Sequence, residues 1–328
     1  MSKNNNILVT GGTGFIGRSL VIRLIKNGLH PIVFDNNFRG NDDFLKINSK
    51  SFTFFNGDIR DKEQVKIALK ECSSVFHLAF INGTRFFYEE PELVLDVGVK
   101  GAINTIELAK ELKVEKYILA SSSEVYQKPL IIPTAEDAEI SIPDITNPRY
   151  SYGGGKILSE LLTLNFLRNT NVKHTIFRPH NVFGVQMGFE HVIPEILKKI
   201  SIASDYFLKP YCEIEIQGSG DETRAFCYVE DAIDQLMYIF NNGKNRNIYH
   251  IGMNDEISIK KLIKDISKIL NIDISIKSGK IREGGTDRRC PSIEKIRSIG
   301  YKKENNYYNG LKNTVEWYKN YYIKNKEA

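Results

Sequence analysis

Ile7-Leu8-Val9-Thr10 runs directly into Gly11-Gly12-Thr13-Gly14-Phe15-Ile16-Gly17 and then into Arg18-Ser19-Leu20-Val21-Ile22-Arg23-Leu24-Ile25. The first four residues form the short, β-branched apolar run of a strand buried in a parallel sheet. The last segment sets Leu20, Leu24 and Ile25 on one helical stripe, so the local order is strand, glycine turn, helix. Glycines between such elements have distinct uses: one makes the tight turn, one lets the backbone approach a pyrophosphate, and one lets the helix pack close to the strand. The helix N-terminus then offers unpaired N–H groups to phosphates.

A bare glycine triplet also occurs in flexible loops, and the next strand favours the dinucleotide reading. That second strand, His30-Pro31-Ile32-Val33-Phe34, ends in Asp35. A carboxylate at that tip accepts hydrogen bonds from both hydroxyls of an adenosine ribose and repels a 2′-phosphate. The expected ligand is therefore NAD rather than NADP. Gly11, Gly14 and Gly17 fit a Gly-x-x-Gly-x-x-Gly spacing.

Farther along, Phe52-Thr53-Phe54-Phe55 reads as a third strand, leading to Gly57-Asp58-Ile59-Arg60-Asp61, where Asp61 can cap a helix through Leu69. Val75-Phe76-His77-Leu78-Ala79 is a fourth strand end, and a loop carrying Arg85, Phe86, Phe87 and Tyr88 leads to a long helix from about Glu92 to Leu112. A fifth strand, Tyr117-Ile118-Leu119-Ala120, delivers Ser121-Ser122-Ser123-Glu124-Val125-Tyr126 at its carboxyl end, where open parallel sheets bind ligands. A proline-bearing loop, a helix from Ser151 to Arg168 and a sixth strand, Thr175-Ile176-Phe177-Arg178, complete the alternation. It predicts a doubly wound parallel α/β sheet over residues 1–178. Beyond it, residues 179–328 read as a smaller mixed lobe for the substrate, with some segments free to return to the sheet.

Composition agrees with a folded globular chain: 328 residues, 41% hydrophobic and 26% charged. No apolar run reaches the roughly 18 residues of a membrane helix, and Met1-Ser2-Lys3-Asn4-Asn5-Asn6 lacks a signal-peptide core, so a cytoplasmic protein with no membrane partner is expected. Four cysteines lie without a C-x-x-C pair, which suggests neither a disulfide framework nor a metal site. The net charge of +5 comes from lysines dispersed on predicted helix faces and in the tail, a pattern of solvated surface rather than of nucleic-acid binding.

Tyr152-Gly153-Gly154-Gly155-Lys156 places a phenol and an ammonium four residues apart on one helical face. A phenol with a pKa near 10 is a poor base at neutral pH, and a nearby cation lowers it. Three consecutive glycines inside a helix are costly unless something must approach closely.

Together with the glycine turn and the SSSEVY segment, this Tyr-x-x-x-Lys resembles the extended short-chain dehydrogenases/reductases, and among them the NAD-dependent nucleotide-sugar epimerases and dehydratases. The resemblance covers most of the chain. It extends to Gly57-Asp58, to His77-Leu78-Ala79, to Arg178-Pro179-His180-Asn181-Val182-Phe183-Gly184 and to the stretch from Gly218 to Asp231. It implies a Rossmann fold and an NAD site formed by Gly11, Gly14, Phe15, Ile16, Gly17, Asp35, Asn36, Asp58, Ile59, Leu78 and Ala79, with Tyr152 and Lys156.

It also implies that Tyr152 takes a proton from a sugar hydroxyl, usually at C4, while Lys156 holds the nicotinamide ribose and depresses the Tyr152 pKa. Ser122 would bond the same sugar oxygen. Ser123, Asn181, Arg224, Arg85 and one of Arg282 and Arg288 would contact a nucleotide-diphospho-sugar, and a homodimer through helix faces is expected. The surplus apolar residues from Ile157 to Leu167, with Leu95, Val99, Ala102, Ile103 and Ile106, offer the contact.

Departures from the family pattern carry information. Gly98 stands where relatives often have asparagine, Gln127 where glycine is usual, and Ser123 where many dehydratases have an aspartate acid. His191 could face the ligand, cap a helix or pack. Glu124 is the residue expected to separate outcomes once a 4-keto sugar forms: dehydration or epimerisation first, decarboxylation or plain oxidation as alternatives. A protein that binds NAD and a partner without chemistry is the other class, and the joint presence of Ser122, Tyr152 and Lys156 argues against it.

Overall fold

The computed structural model describes residues 5–40, 51–280 and 287–326. Its centre is a seven-stranded sheet whose strands run, from one edge to the other, Asn247–Ile251, Lys173–Pro179, Lys116–Ala120, Ser74–His77, Asn6–Thr10, His30–Asp35 and Thr53–Asn56. Every neighbouring pair is parallel. The order reverses at the first strand, so the carboxyl ends of Asn6–Thr10 and Ser74–His77 flank the crevice where such sheets take ligands.

Strand periodicity explains why the sheet needs two covers. In the fully buried first strand, Ile7 and Val9 enter one apolar cluster and Leu8 the opposite one, as alternation of side chains requires. The helix Phe15–Lys26 packs on one face, with Leu20, Val21 and Leu24 inside. The helices Lys62–Leu69 and Gly101–Glu111 cover the other. Asp61 caps the first of these, its carboxylate accepting from the N–H groups of Glu63 and Gln64, as its position before an apolar run predicts.

The chain beyond 178 divides its residues between sheet and lobe. Asn247–Ile251 adds the seventh strand, and Val229–Asn242 lays Ala232, Ile233, Leu236 and Met237 on the sheet core beside the first helix. The lobe itself has a separate core. There Tyr211–Gln217 buries Cys212, Ile214 and Ile216 alternately and pairs with Asp273–Gly279. The helices Val192–Ala203, Ile259–Leu270 and Tyr307–Lys324 close over it.

Two local expectations change. The segment from Arg85 to Tyr88, expected as a loop, lies in the short helix Thr84–Glu89, with Phe87 turned inward. The long helix after it is interrupted: Pro91–Leu95 and Gly101–Glu111 are joined by a π-helical turn over Asp96–Lys100, centred on Gly98. Among the described residues no helix is long and apolar enough to cross a membrane, and no group of three or more His, Cys, Asp or Glu side chains is arranged to hold a metal ion.

Candidate active site

A cleft of about 1150 Å³ runs along the carboxyl ends of the strands, between sheet and lobe. Its floor begins at the glycine turn. Gly11 has φ +70°, and a Cβ there would stand 2.8 Å from the Ala79 nitrogen; one on Gly17 would collide with the Gly11 carbonyl. Glycine at these two positions is what lets the first helix start against the strand end. No acidic side chain occupies the helix's own first turn, which lines the cleft with its N-terminal dipole. The Thr13 hydroxyl in this turn is buried and has no hydrogen-bond partner among the described residues.

Asp35 stands at the end of the second strand, its two oxygens accepting from the Thr13 and Asn37 N–H groups at 3.1 and 2.9 Å. Asn36 beside it accepts from the Phe38 N–H. Asp58 is turned into a fork with Arg60, whose guanidinium also reaches Asp96. Ile59 is buried against Gly101 and borders the cleft. Phe15, Ile16, Leu78 and Ala79 line the same channel. A cradle that a Cβ would fill, a helix N-terminus and an oriented carboxylate together fit an anionic dinucleotide.

The helix Ser151–Phe166 brings Tyr152 and Lys156 to the inner end of this channel, both buried. Phe87 stacks on the Tyr152 ring at 5.0 Å and Phe80 meets it edge-on at 5.2 Å. The Lys156 ammonium donates to the Ala120 carbonyl at 2.7 Å. Burial pushes the Tyr152 phenol up to about 12, opposed by its hydrogen bond with Ser122, and burial pushes Lys156 down to about 7, opposed by Glu160.

The phenol is thus raised, where a depression by Lys156 was expected. The ammonium sits 5.7 Å from the Tyr152 ring centre and directs its hydrogen bond to Ala120, so loss of water dominates both groups.

Ser122 lies two residues past the fifth strand, its hydroxyl accepting from the Glu124 N–H at 3.1 Å, and Ser123 is buried beside it. Beneath them Arg178 makes a buried pair with Glu160, which also accepts from Ser121. This fixes the strand end against the helix that carries Tyr152. Gln127, at φ +51°, donates to the Glu124 carbonyl at 2.6 Å, in space that a Cβ on Gly153 would invade.

The Glu124 side chain pairs with Arg289. Burial tends to raise its carboxyl, but the charge and hydrogen bond of Arg289, with Arg149 and Arg224 behind them, outweigh burial and hold it below the ordinary range.

The expected substrate residues divide. Asn181, at φ +41°, lines the cleft and donates to the Ala225 carbonyl. Arg224 donates to the carbonyls of Thr223 and Asp287, and its charge is felt at Glu124. Arg85 sits at the rim, over the Phe86 ring and loosely paired with Glu89.

Arg288 faces away, forked onto Glu256 and half exposed, while Arg282 lies outside the described residues. The arginine that reaches the cleft from the described part of this segment is Arg289. Strand alternation was the available signal: in Arg288–Arg289, paired with Thr223–Ala225, neighbouring side chains point to opposite sides. His191 precedes the helix Val192–Ala203 without a side-chain cap bond and lines the cleft. Arg39, at the cleft wall over Phe86, carried no motif that would single it out.

Residues 7–252 match the model of the NAD dependent epimerase/dehydratase family. A putative UDP-glucose 4-epimerase of Methanocaldococcus jannaschii is 36% identical over 317 residues, covering 96% of this chain and 98% of that one. A UDP-N-acetyl-alpha-D-glucosaminuronate decarboxylase of Bacillus cytotoxicus is 28% identical, covering 95% and 97%. Among solved structures, the UDP-glucose 4-epimerase of Thermotoga maritima with UDP-glucose superposes with a TM-score of 0.83 at 25% identity, over 96% of this chain and 99% of that one. Together with the glycine cradle, Asp35 and the Tyr152–Lys156 helix, these matches establish that the chain belongs to the NAD-dependent epimerase/dehydratase family and is an NAD-dependent enzyme.

Proposed function

We propose that the enzyme acts on a nucleoside-diphospho-sugar, oxidising the hexose at C4 to a ketone and reducing that ketone on the opposite face, so that the product is the C4 epimer. When bound, NAD supplies the hydride acceptor and a positive charge that favours the Tyr152 phenolate. Tyr152 holds and returns the proton of the C4 hydroxyl, with Ser122 as hydrogen-bond partner of the same oxygen. Lys156, one turn on, is held by its hydrogen bond to the Ala120 carbonyl.

The observation that favours epimerisation over dehydration is the Glu124–Arg289 pair. Eliminating water across C5 and C6 needs a base for the C5 proton and an acid for the leaving hydroxyl. Ser123 is no carboxylic acid, and Glu124 is held ionised, so these two residues do not supply the acid. Epimerisation needs neither. The M. jannaschii relative, named as a putative 4-epimerase, supports the same outcome.

A second reading has its own support. Arg289, Arg149 and Arg224 all act on the single Glu124 carboxylate. That excess of positive charge suits a sugar carrying a carboxylate at C5, whose 4-keto form is a β-keto acid that loses carbon dioxide. The B. cytotoxicus decarboxylase supports it. Incubating the purified enzyme with a panel of UDP- and dTDP-hexoses and hexuronates, and following product masses, tests both readings. Unchanged mass with altered chromatography is the expected result; loss of water overturns the first reading in favour of dehydration, and loss of carbon dioxide from a hexuronate establishes the second.

The same proposal includes a homodimer. Leu158, Leu161 and Phe166 on the Tyr152 helix are 40%, 51% and 43% exposed, and Leu95 is 40% exposed nearby. Ala102 and Ile106, expected to join this face, are instead fully buried in the subunit's own core, because the helix Gly101–Glu111 turns them to the sheet.

A further inference from the structure

Phe80 is the least expected residue around Lys156. It follows the fourth strand and puts its ring 4.1 Å under the Lys156 ammonium, edge-on to Tyr152. The ring fits because two glycines face it from two helices. A Cβ on Gly98 would overlap the ring, and one on Gly155 would stand 2.9 Å from its Cζ. Gly98 is also the centre of the π-helical turn Asp96–Lys100, a distortion that recurs at functional sites. The bulky ring, the two glycines and the widened turn thus form one complementary set around the ammonium.

We propose that Phe80 is a positioning residue for Lys156: its face, seated in the slot left by Gly98 and Gly155, holds the charged ammonium against the Ala120 carbonyl. The physical ground is the negative face of the ring quadrupole, which attracts a cation most strongly where water is excluded. Lys156 is 3% exposed and its ammonium donates to Ala120, so the ring stands where water would otherwise solvate the charge. The role rests on the proposed functions of Tyr152 and Lys156, but its test does not depend on turnover.

The test is a pH titration of the Lys156 ε-carbon by NMR in lysine-labelled, NAD-loaded protein, assigned by its loss in Lys156→Arg. Phe80→Leu keeps an apolar side chain of similar size and removes the ring face. The midpoint in this variant is expected to fall by roughly half to one and a half pH units relative to wild type. Phe80→Tyr, which keeps the ring, should restore it. An unchanged or raised Phe80→Leu midpoint overturns the proposal, leaving Phe80 as packing only. Should Phe80→Leu not fold, Gly98→Ala carries the test, since its methyl displaces the ring and should shift the midpoint downward; no shift there overturns it equally. A wild type that turns over none of the nucleotide sugars would count against the catalytic reading, and a lowered Phe80→Leu midpoint would still support the contact.

Discussion

The carboxylate of Glu124 and the guanidinium of Arg289, 165 residues apart in the chain, meet inside the cleft between the sheet and the lobe. Their side chains are 29% and 18% exposed, so the pair is partly shielded from water. It ties the end of the fifth strand to the lobe and sets the charge of the acidic group beside Ser122 and Tyr152.

Replacing Arg289 by Met removes the paired counter-charge and leaves the burial, opposed then by Arg149 and Arg224 alone. The folded-state pKa of Glu124, now below its unfolded value, should then rise. In the wild type the group adds stability above the unfolded carboxyl pKa, which is lost as pH falls through the lower folded value. In the variant that contribution at neutral pH shrinks as the folded value moves up. The variant should thus be less stable by about 1–2 kcal/mol at neutral pH, discounted for partial exposure, with the difference shrinking below about pH 4. Thermal melts at the two pH values check this; a deficit equal at both rules out the electrostatic explanation.

Tyr152→Phe removes one oxygen and keeps a ring stacked on Phe87 and edge-on to Phe80. Stability and NAD affinity should stay near wild type while turnover falls by about 10²- to 10⁴-fold, the usual worth of a general base. Turnover on the active substrate and calorimetry with NAD separate the two effects. Near-normal turnover would falsify the assignment of Tyr152 as base.

Asp35, oriented by the N–H groups of Thr13 and Asn37, lines the cleft and is proposed to meet the adenosine ribose there. A 2′-phosphate there meets an opposing charge, so NAD should bind at least about tenfold more tightly than NADP. Asp35→Ser should narrow that ratio. Equal calorimetric affinities of the wild type for both cofactors would count against it.

The sheet was legible because its signals are local. Alternating apolar strands, a glycine turn and a capping Asp61 each act within a few residues of themselves, and parallel connection rules then fix the layers. Tyr152 and Lys156 were legible for the same reason, since one helical turn brings them together. Arg289 was not: its role depends on which side of the two-residue strand Arg288–Arg289 faces Glu124, a matter of register with Thr223–Ala225. Nor was the direction of the Tyr152 and Lys156 shifts, because burial is a property of the whole packed site. Gly98 could be seen as an absence of asparagine, but the Phe80 ring that fills its space comes from a separate strand end.

Leu161→Glu, on the exposed side of the Tyr152 helix, tests the association. Wild-type protein should have a dimer mass by light scattering at micromolar concentration, and the variant a monomer mass with its fold intact by circular dichroism. A surplus apolar face on two adjacent helices is the physical ground, and burying it against its own copy gives an isologous contact. A monomeric wild type would exclude that contact.

Glu124→Gln separates the chemical outcomes, because it removes a charge beside the proposed sugar site while leaving Tyr152, Lys156 and the cofactor cradle in place, and it also relieves the upward push of that charge on the Tyr152 phenol. If the enzyme is a C4 epimerase, no C5 proton has to be removed. The variant should then make the same product more slowly, by roughly tenfold, through the lost partner of Arg289 and the altered polarity around Ser122. If a later step at C5 is obligatory, oxidation at C4 should survive and that step should fail, so reduced nicotinamide and a 4-keto sugar with its original substituents accumulate. Single-turnover absorbance at the reduced-nicotinamide band, with product masses in parallel, reads the difference. Slow formation of the unchanged product without a persistent reduced-nicotinamide signal is the expected result; an accumulating 4-keto sugar would move the assignment to elimination or decarboxylation.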